Sequence, residues 1–154
     1  MHKGKIAFVV GHERWGKSQT LSALTNGNFR LRRITIAGVK FFIRRMSNDD
    51  QPDGYIKFMK SINPARRPYL IAALCPRFNN HATETNSILS TLRAKGYQLF
   101  FWVIEHQYRT SAVVKTKEIK RLRKFGKVNV FSARAEAAAR SASFKRFVSN
   151  VVRS

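Results

Sequence analysis

Apolar and polar positions alternate along the chain in blocks of strand length and helix length. Residues 5–10, Lys-Ile-Ala-Phe-Val-Val, form a short apolar run that ends in a glycine-bearing polar segment, as a buried strand does. Residues 17–25 place Leu21 and Leu24 on one helical face, and Asn26-Gly27-Asn28 breaks that pattern. Two strand-like runs, 33–37 and 39–45, meet across Ala37-Gly38 as the arms of a tight antiparallel hairpin. The polar stretch 47–54 leads into a short helix at 55–61, stopped by Pro64 and Pro68.

The second half repeats the alternation. Residues 69–74 read as a strand ending at Cys75-Pro76. Residues 83–95 read as a helix with Ile88, Leu89 and Leu92 inward and Gly96 closing it. Residues 97–104 are the longest apolar run. A basic helix at 112–124, a strand at 128–131 and a last helix at 133–152 follow, the last with Ala135, Ala138, Phe144, Phe147, Val148 and Val151 on its core face. Strands joined through helices need right-handed crossovers, so the pattern predicts an α/β fold with a mainly parallel sheet, one antiparallel hairpin strand and helices on both faces. At 154 residues, with no repeat or linker, the chain is expected to form a single domain over 1–154.

Composition adds charge to this picture. Lys and Arg number 30 against 8 Asp and Glu, a formal net charge of +22, while 44% of residues are hydrophobic, enough for a core. Such an excess calls for an anionic partner, and nucleic acid, DNA or RNA, is expected ahead of an acidic protein or a membrane. No apolar run reaches the roughly 20 residues that span a bilayer, and no signal-peptide pattern is expected at residues 1–10. The single cysteine, Cys75, excludes an internal disulfide, and no Cys/His spacing suits structural zinc; a cytoplasmic location follows.

Directly after the first strand, Gly11-His12-Glu13-Arg14-Trp15-Gly16-Lys17-Ser18 fits Gly-x-x-x-x-Gly-Lys-Ser/Thr at every position. Glycines let the backbone wrap a phosphate, the following helix directs its N-terminal N–H groups at that anion, Lys17 reaches the outer phosphates and Ser18 offers a hydroxyl to Mg²⁺. Gly11, Arg14, Gly16, Lys17, Ser18 and Gln19 are therefore candidate nucleotide contacts, with ATP or GTP as the ligand.

This segment resembles the phosphate-binding loop of the P-loop NTPases, and the order of elements looks like their GTPase-related branch. The resemblance implies a three-layer P-loop fold. Ser132-Ala133-Arg134 resembles the Ser-Ala-Lys-type loop that lies against the base, which makes Ser132 and Ala133 candidates. Two further motifs are degenerate. Where the branch has Asp-x-x-Gly, the chain reads Met46-Ser47-Asn48-Asp49-Asp50-Gln51. Where it has Asn-Lys-x-Asp, the chain reads Glu105-His106-Gln107-Tyr108-Arg109, without the guanine-reading aspartate. ATP and GTP both stay open, and His106 or Tyr108 can stack on either base.

Phosphoryl transfer with Mg²⁺ usually uses a carboxylate. Glu118 and Glu136 are expected to make only surface pairs within helices, Glu84 to sit in a first helical turn, and Glu13 to lie inside the loop. Of Asp49, Asp50, Asp53 and Glu105, Asp50 is the first choice for the metal and for catalysis with Lys17, and Glu105, at the end of the long strand, is the second. Lys117, Lys120, Arg121 and Lys124 recur at helical spacing and form the expected nucleic-acid face, together with Arg44 and Arg45 on the hairpin. The aromatic residues read as core, so contacts to phosphate without base stacking are expected. The function expected from these features is an NTP hydrolase, a component of a nucleic-acid-handling assembly with protein partners or further copies of itself. The alternatives are a non-hydrolysing nucleotide-binding subunit and a nucleotide or small-molecule kinase with an arginine-bearing lid at 66–77.

Overall fold

The strand Gly4–Val10 (β1) is buried at every position but Lys5, and consecutive strand residues point to opposite faces, so both sides of the sheet are covered here. The computed structural model describes residues 4–12, 15–28, 30–78, 83–106, 114–132 and 135–154. After β1 come α1 (Lys17–Leu24), the hairpin β2 (Arg33–Ile36) and β3 (Val39–Arg44), and α2 (Pro52–Ser61). β4 (Tyr69–Leu74), α3 (Thr85–Ala94), β5 (Tyr97–Ile104), α4 (Thr116–Arg123), β6 (Gly126–Phe131) and α5 (Ala137–Arg153) complete the chain. The six strands form one sheet in the order β2-β3-β4-β1-β5-β6, parallel except for the β2–β3 hairpin. α1 packs on α5, α2 on α3, and α4 against β6.

The expected elements are present with shifted ends. α2 begins earlier than expected, at Pro52, because proline suits the first helical position, where its missing N–H is not needed. α4 begins at Thr116, and α5 at Ala137, beyond the alanines at its predicted start. Ala135 is thereby outside the helix and Ala138 is exposed, while Phe144, Phe147, Val148 and Val151 take the core face as predicted.

The core is one contiguous cluster on both sides of β1, β4 and β5. Phe8 stacks on Phe101 at 5.3 Å between ring centroids, and Trp102 is wedged between Phe131 at 5.0 Å and Phe144 at 5.5 Å, which ties β5 to β6 and α5. Polar ties finish the frame. Tyr55 donates from its hydroxyl to the Ala73 carbonyl at 2.7 Å, fixing α2 to β4. Lys95, just after α3, caps the end of α2 by donating to the carbonyls of Lys60 and Ile62, the latter at 2.7 Å.

β1 lies between β4 and β5, and the chain leaving β1 runs toward the hairpin edge while the chain leaving β5 runs to the opposite edge. The carboxyl ends of β4, β1 and β5 thus open on one crevice at a topological switch point, where open α/β sheets bind ligands.

Gly126 meets Leu99 across the β5–β6 pair so closely that a Cβ there would stand 1.9 Å from the Leu99 carbonyl oxygen. Gly126→Ala should therefore cost about 1–3 kcal/mol through forced strand separation. Gly54→Ala on α2, with nothing nearer than 3.7 Å, should be neutral or stabilising by up to about 1 kcal/mol, since alanine is the better helix former. Urea midpoints of the two variants check this.

Candidate functional site

At the end of β1, Gly11 extends the pairing with β4 by donating its N–H to the Leu74 carbonyl at 3.1 Å, and the chain then turns, with Trp15 N–H on the His12 carbonyl at 3.2 Å. Gly16 adopts a left-handed conformation, φ 87°, and delivers the chain into α1. Lys17 is the first helical residue, and its side chain folds back into the loop it closes. It is 5% exposed, and its ammonium donates to the carbonyls of Gly11 at 2.5 Å and His12 at 3.1 Å, and to Asp49 Oδ2 at 3.4 Å. All three donors of a buried ammonium are thereby occupied, which burial of that charge demands. The other Asp49 oxygen, Oδ1, is buried with no hydrogen-bond partner among the described residues.

Asp49 reaches Lys17 although it follows β3, and β3 is separated from β1 by β4. Asn48 accounts for this. Fully buried, it accepts from the Cys75 N–H at 2.7 Å and donates to the carbonyls of Cys75 and Thr83 at 3.2 and 3.1 Å and to Thr85 Oγ1 at 3.0 Å. That clamp draws the segment after β3 across the end of β4 and sets the next residue beside the loop. Asp50, the first choice from sequence, is exposed and turned into its own turn, where its carboxylate accepts from the Ser47 N–H at 3.1 Å. Asp53 is exposed in the first turn of α2.

Glu105 and His106 lie together at the end of β5, Glu105 Oε1 at 3.0 Å from His106 Nε2, both part-exposed. His106 Nδ1 is buried without a partner among the described residues. Gly11 borders this strand end, since a Cβ on it would be 3.8 Å from Ile104. Ser18 and Gln19 are exposed on α1, and Ser132 is exposed just past β6, where it does not cap α5. Arg14 and Ala133, with Glu13 and Tyr108, lie outside the described residues.

Glu118 corrects the sequence reading. It is no surface-pair acid of the basic helix: its carboxylate lies 2.9 Å from His12 Nε2, and the pair ties α4 to the loop after β1. The opposite ring nitrogen, Nδ1, is 3.9 Å from Cys75 Sγ, and the ring packs edge-on against Trp15. Burial, reinforced by the Asp49 charge, pushes the Cys75 thiol up to about 11, so it stays protonated at neutral pH and is a poor nucleophile.

Arg140 of α5 is a site residue that the sequence reading missed. It is 5% exposed and donates through Nε to Thr20 Oγ1 at 2.9 Å and through Nη1 to the Ala135 carbonyl at 2.6 Å, while Thr20 donates to the Gly16 carbonyl at 2.8 Å. The last helix is thereby fastened to the loop. The signal was a cation on an apolar stripe: Arg140 precedes Phe144 by one turn and Phe147 by two.

On α4, Lys117 and Lys120 are exposed, as is Lys124 just past its end, whereas Arg121 is half-buried over the Phe78 ring at 4.6 Å. Arg44 lies over Phe58 at 5.0 Å. Arg45 is spent on structure, donating to the Leu31 carbonyl, to Thr25 Oγ1 at 3.0 Å and to the Asn28 carbonyl at 3.1 Å; desolvation lowers its pKa.

No protein-family model matches the chain, and no curated protein matches it in sequence. Among the described residues no helix is long and apolar enough to cross a membrane, and no group of His, Cys, Asp and Glu gathers as a metal-ligand cage.

If Asn48 holds Asp49 in place, Asn48→Ala should cost about 2–3 kcal/mol, because it strands the buried N–H of Cys75 and releases the loop. Denaturant midpoints give the cost. Asp50→Ala, which loses one exposed turn bond, should stay within about 1 kcal/mol of wild type.

Proposed function

We propose that the chain is a P-loop nucleotide-binding domain that takes ATP or GTP with Mg²⁺ and works as a nucleotide-dependent component of a nucleic-acid-handling assembly. The observation that carries this reading is the Lys17 ammonium, buried inside a loop of matching sequence and held on the Gly11 and His12 carbonyls beside Asp49. A cation stored at the mouth of a helix N-terminus, at the carboxyl end of a central parallel strand, suits the phosphates of a nucleotide. The covered mainly parallel sheet is compatible with a three-layer P-loop fold serving as a single domain, and we propose a cytoplasmic location for it.

The residues present fit Mg²⁺. A hard cation that keeps several waters needs few protein ligands besides the phosphates, and the exposed Ser18 hydroxyl and the unpartnered buried oxygen of Asp49 are of the right kind. Asp49 is thus preferred to Asp50 as the metal-side acid. Mg²⁺ bound there would supply charge neutralisation of the phosphates. The chain's own part is to orient the anion on the backbone amides after Gly16, to bring Lys17 to the outer phosphates, and to hold Lys17 with Asp49.

A second reading, binding without hydrolysis, is favoured by the end of β4. That strand neighbours β1, yet it ends in Leu74-Cys75-Pro76, with no acid and with a protonated thiol. Inorganic phosphate release, followed with each nucleotide and Mg²⁺ and with or without DNA or RNA, separates the two. On the hydrolase reading Asp49→Asn should lower turnover on the order of 100-fold while nucleotide still binds, and Asp50→Asn should leave it near wild type. Loss in Asp50→Asn or Glu105→Gln instead would move the acid to that residue. No release from wild type would leave the binding reading, and label transferred to a nucleotide or small-molecule acceptor would make the protein a kinase.

A further inference from the structure

The hairpin edge of the sheet carries a second concentration of positive charge, on the opposite edge from β6, the strand against which α4 packs. A recess of about 490 Å³ is lined there by Arg33 and Lys40 of the hairpin, by Arg66 and Arg67 of the turn before β4, and by Phe42 and Tyr69. A second recess, of about 380 Å³, shares Phe42 with the first and contains Arg32, Arg44 and Arg45, and it ends at Ser18 on the first turn of α1. Among the described residues no carboxylate lines either one, and none pairs with Arg33, Lys40 or Arg66. The two recesses form one cationic track that runs from the exposed edge of β2–β3 to the phosphate-loop helix.

We propose that this track binds single-stranded nucleic acid. The inference rests on the nucleic-acid reading above and assigns it a place and a strand form. Charge complementarity selects a polyanion, and a planar stacking surface beside the cations favours unpaired bases over a duplex, whose bases are already stacked on one another. The floor offers this planar surface. Phe42 is held between the Phe58 ring, stacked at 6.0 Å, and the Arg67 guanidinium at 4.0 Å, so Arg67 presents its outer face for stacking, while half-buried Tyr69 packs edge-on against Phe41 at 5.5 Å on the other side of the sheet. Cations along a groove with a guanidinium face at its base are features that bind single strands without sequence preference. On α4 the cations are exposed helix-surface residues, Lys117 and Lys120, with Lys124 just past its end.

The test is fluorescence anisotropy of a labelled oligothymidylate of about 20 nucleotides and of a duplex of the same length, with the full chain. Three variants are compared with wild type: Arg33→Glu with Lys40→Glu and Arg66→Glu, the same positions changed to Gln, and Lys117→Glu with Lys120→Glu and Lys124→Glu. All these residues are exposed, so folding is expected to survive, with circular dichroism as the check. The track variants should lose about tenfold or more in single-strand affinity, and their salt slope should shrink by about 2, at roughly 0.7 per phosphate contact. The α4 variant should change single-strand affinity less than about threefold. A wild-type protein photo-crosslinked to a bromouracil-substituted strand should carry the adduct on a peptide containing Phe42 or Tyr69, a result that needs no variant. Track variants with wild-type single-strand affinity, or adducts only on α4, would overturn the proposal while leaving the nucleic-acid reading intact. Equal loss of duplex and single-strand binding would overturn the strand assignment. Wild type binding neither probe would overturn the nucleic-acid reading and this inference with it.

Discussion

An ammonium group buried to 5% exposure must find all its partners inside the protein, and Lys17 finds them in two carbonyls of its own loop and one carboxylate from across the sheet. The rest of the site follows from that requirement. The carbonyls of Gly11 and His12 must face inward, so the loop has to fold over the end of β1. The carboxylate must arrive from β3 over the intervening strand, so Asn48 has to clamp its segment to Cys75, Thr83 and Thr85. Without the clamp, Asp49 would follow Asp50 into solvent and leave a buried charge uncompensated.

Around that centre the hydrophobic frame supplies rigidity and direct fastenings. Arg140 carries α5 to the loop through Thr20, and Glu118 carries α4 to it through His12. The basic helix and the candidate nucleotide loop are therefore in contact through one side-chain pair. The second cationic region, at the hairpin edge, reaches the loop by a different way, at Ser18.

The regular elements were legible because their signals are periodic and local: buried runs for β1, β4 and β5, a leucine face for α3, a glycine turn for the hairpin. The loop itself was legible because its residues are contiguous. What the sequence could not rank was lateral. Nothing local distinguishes Asp49 from Asp50, since the choice depends on a clamp between Asn48 and residues about 30 positions away. Glu118 sits among cations in sequence and suggests a surface pair, yet the helix turns it toward His12. Arg140 stands in sequence among alanines and phenylalanines whose apolar pattern dominates the segment, although a cation at that spacing is itself a signal. Helix ends moved by several residues: α4 starts after Lys115, whose backbone N–H is taken up by Glu118 at 3.3 Å, and α5 starts after Glu136.

The central claim is that Lys17 is a charge kept for phosphate, and calorimetric titration of Mg²⁺ with ATP, and separately with GTP, tests it most directly. Wild type is compared with the double variant Lys17→Ala, Asp49→Asn, which removes both charges and so leaves no buried carboxylate without a partner. The account predicts measurable binding of at least one nucleotide by wild type and none by the double variant, with both proteins folded by circular dichroism. Nucleotide affinity in the double variant within about twofold of wild type would contradict it, since a lysine reaching the outer phosphates cannot be removed without a larger loss.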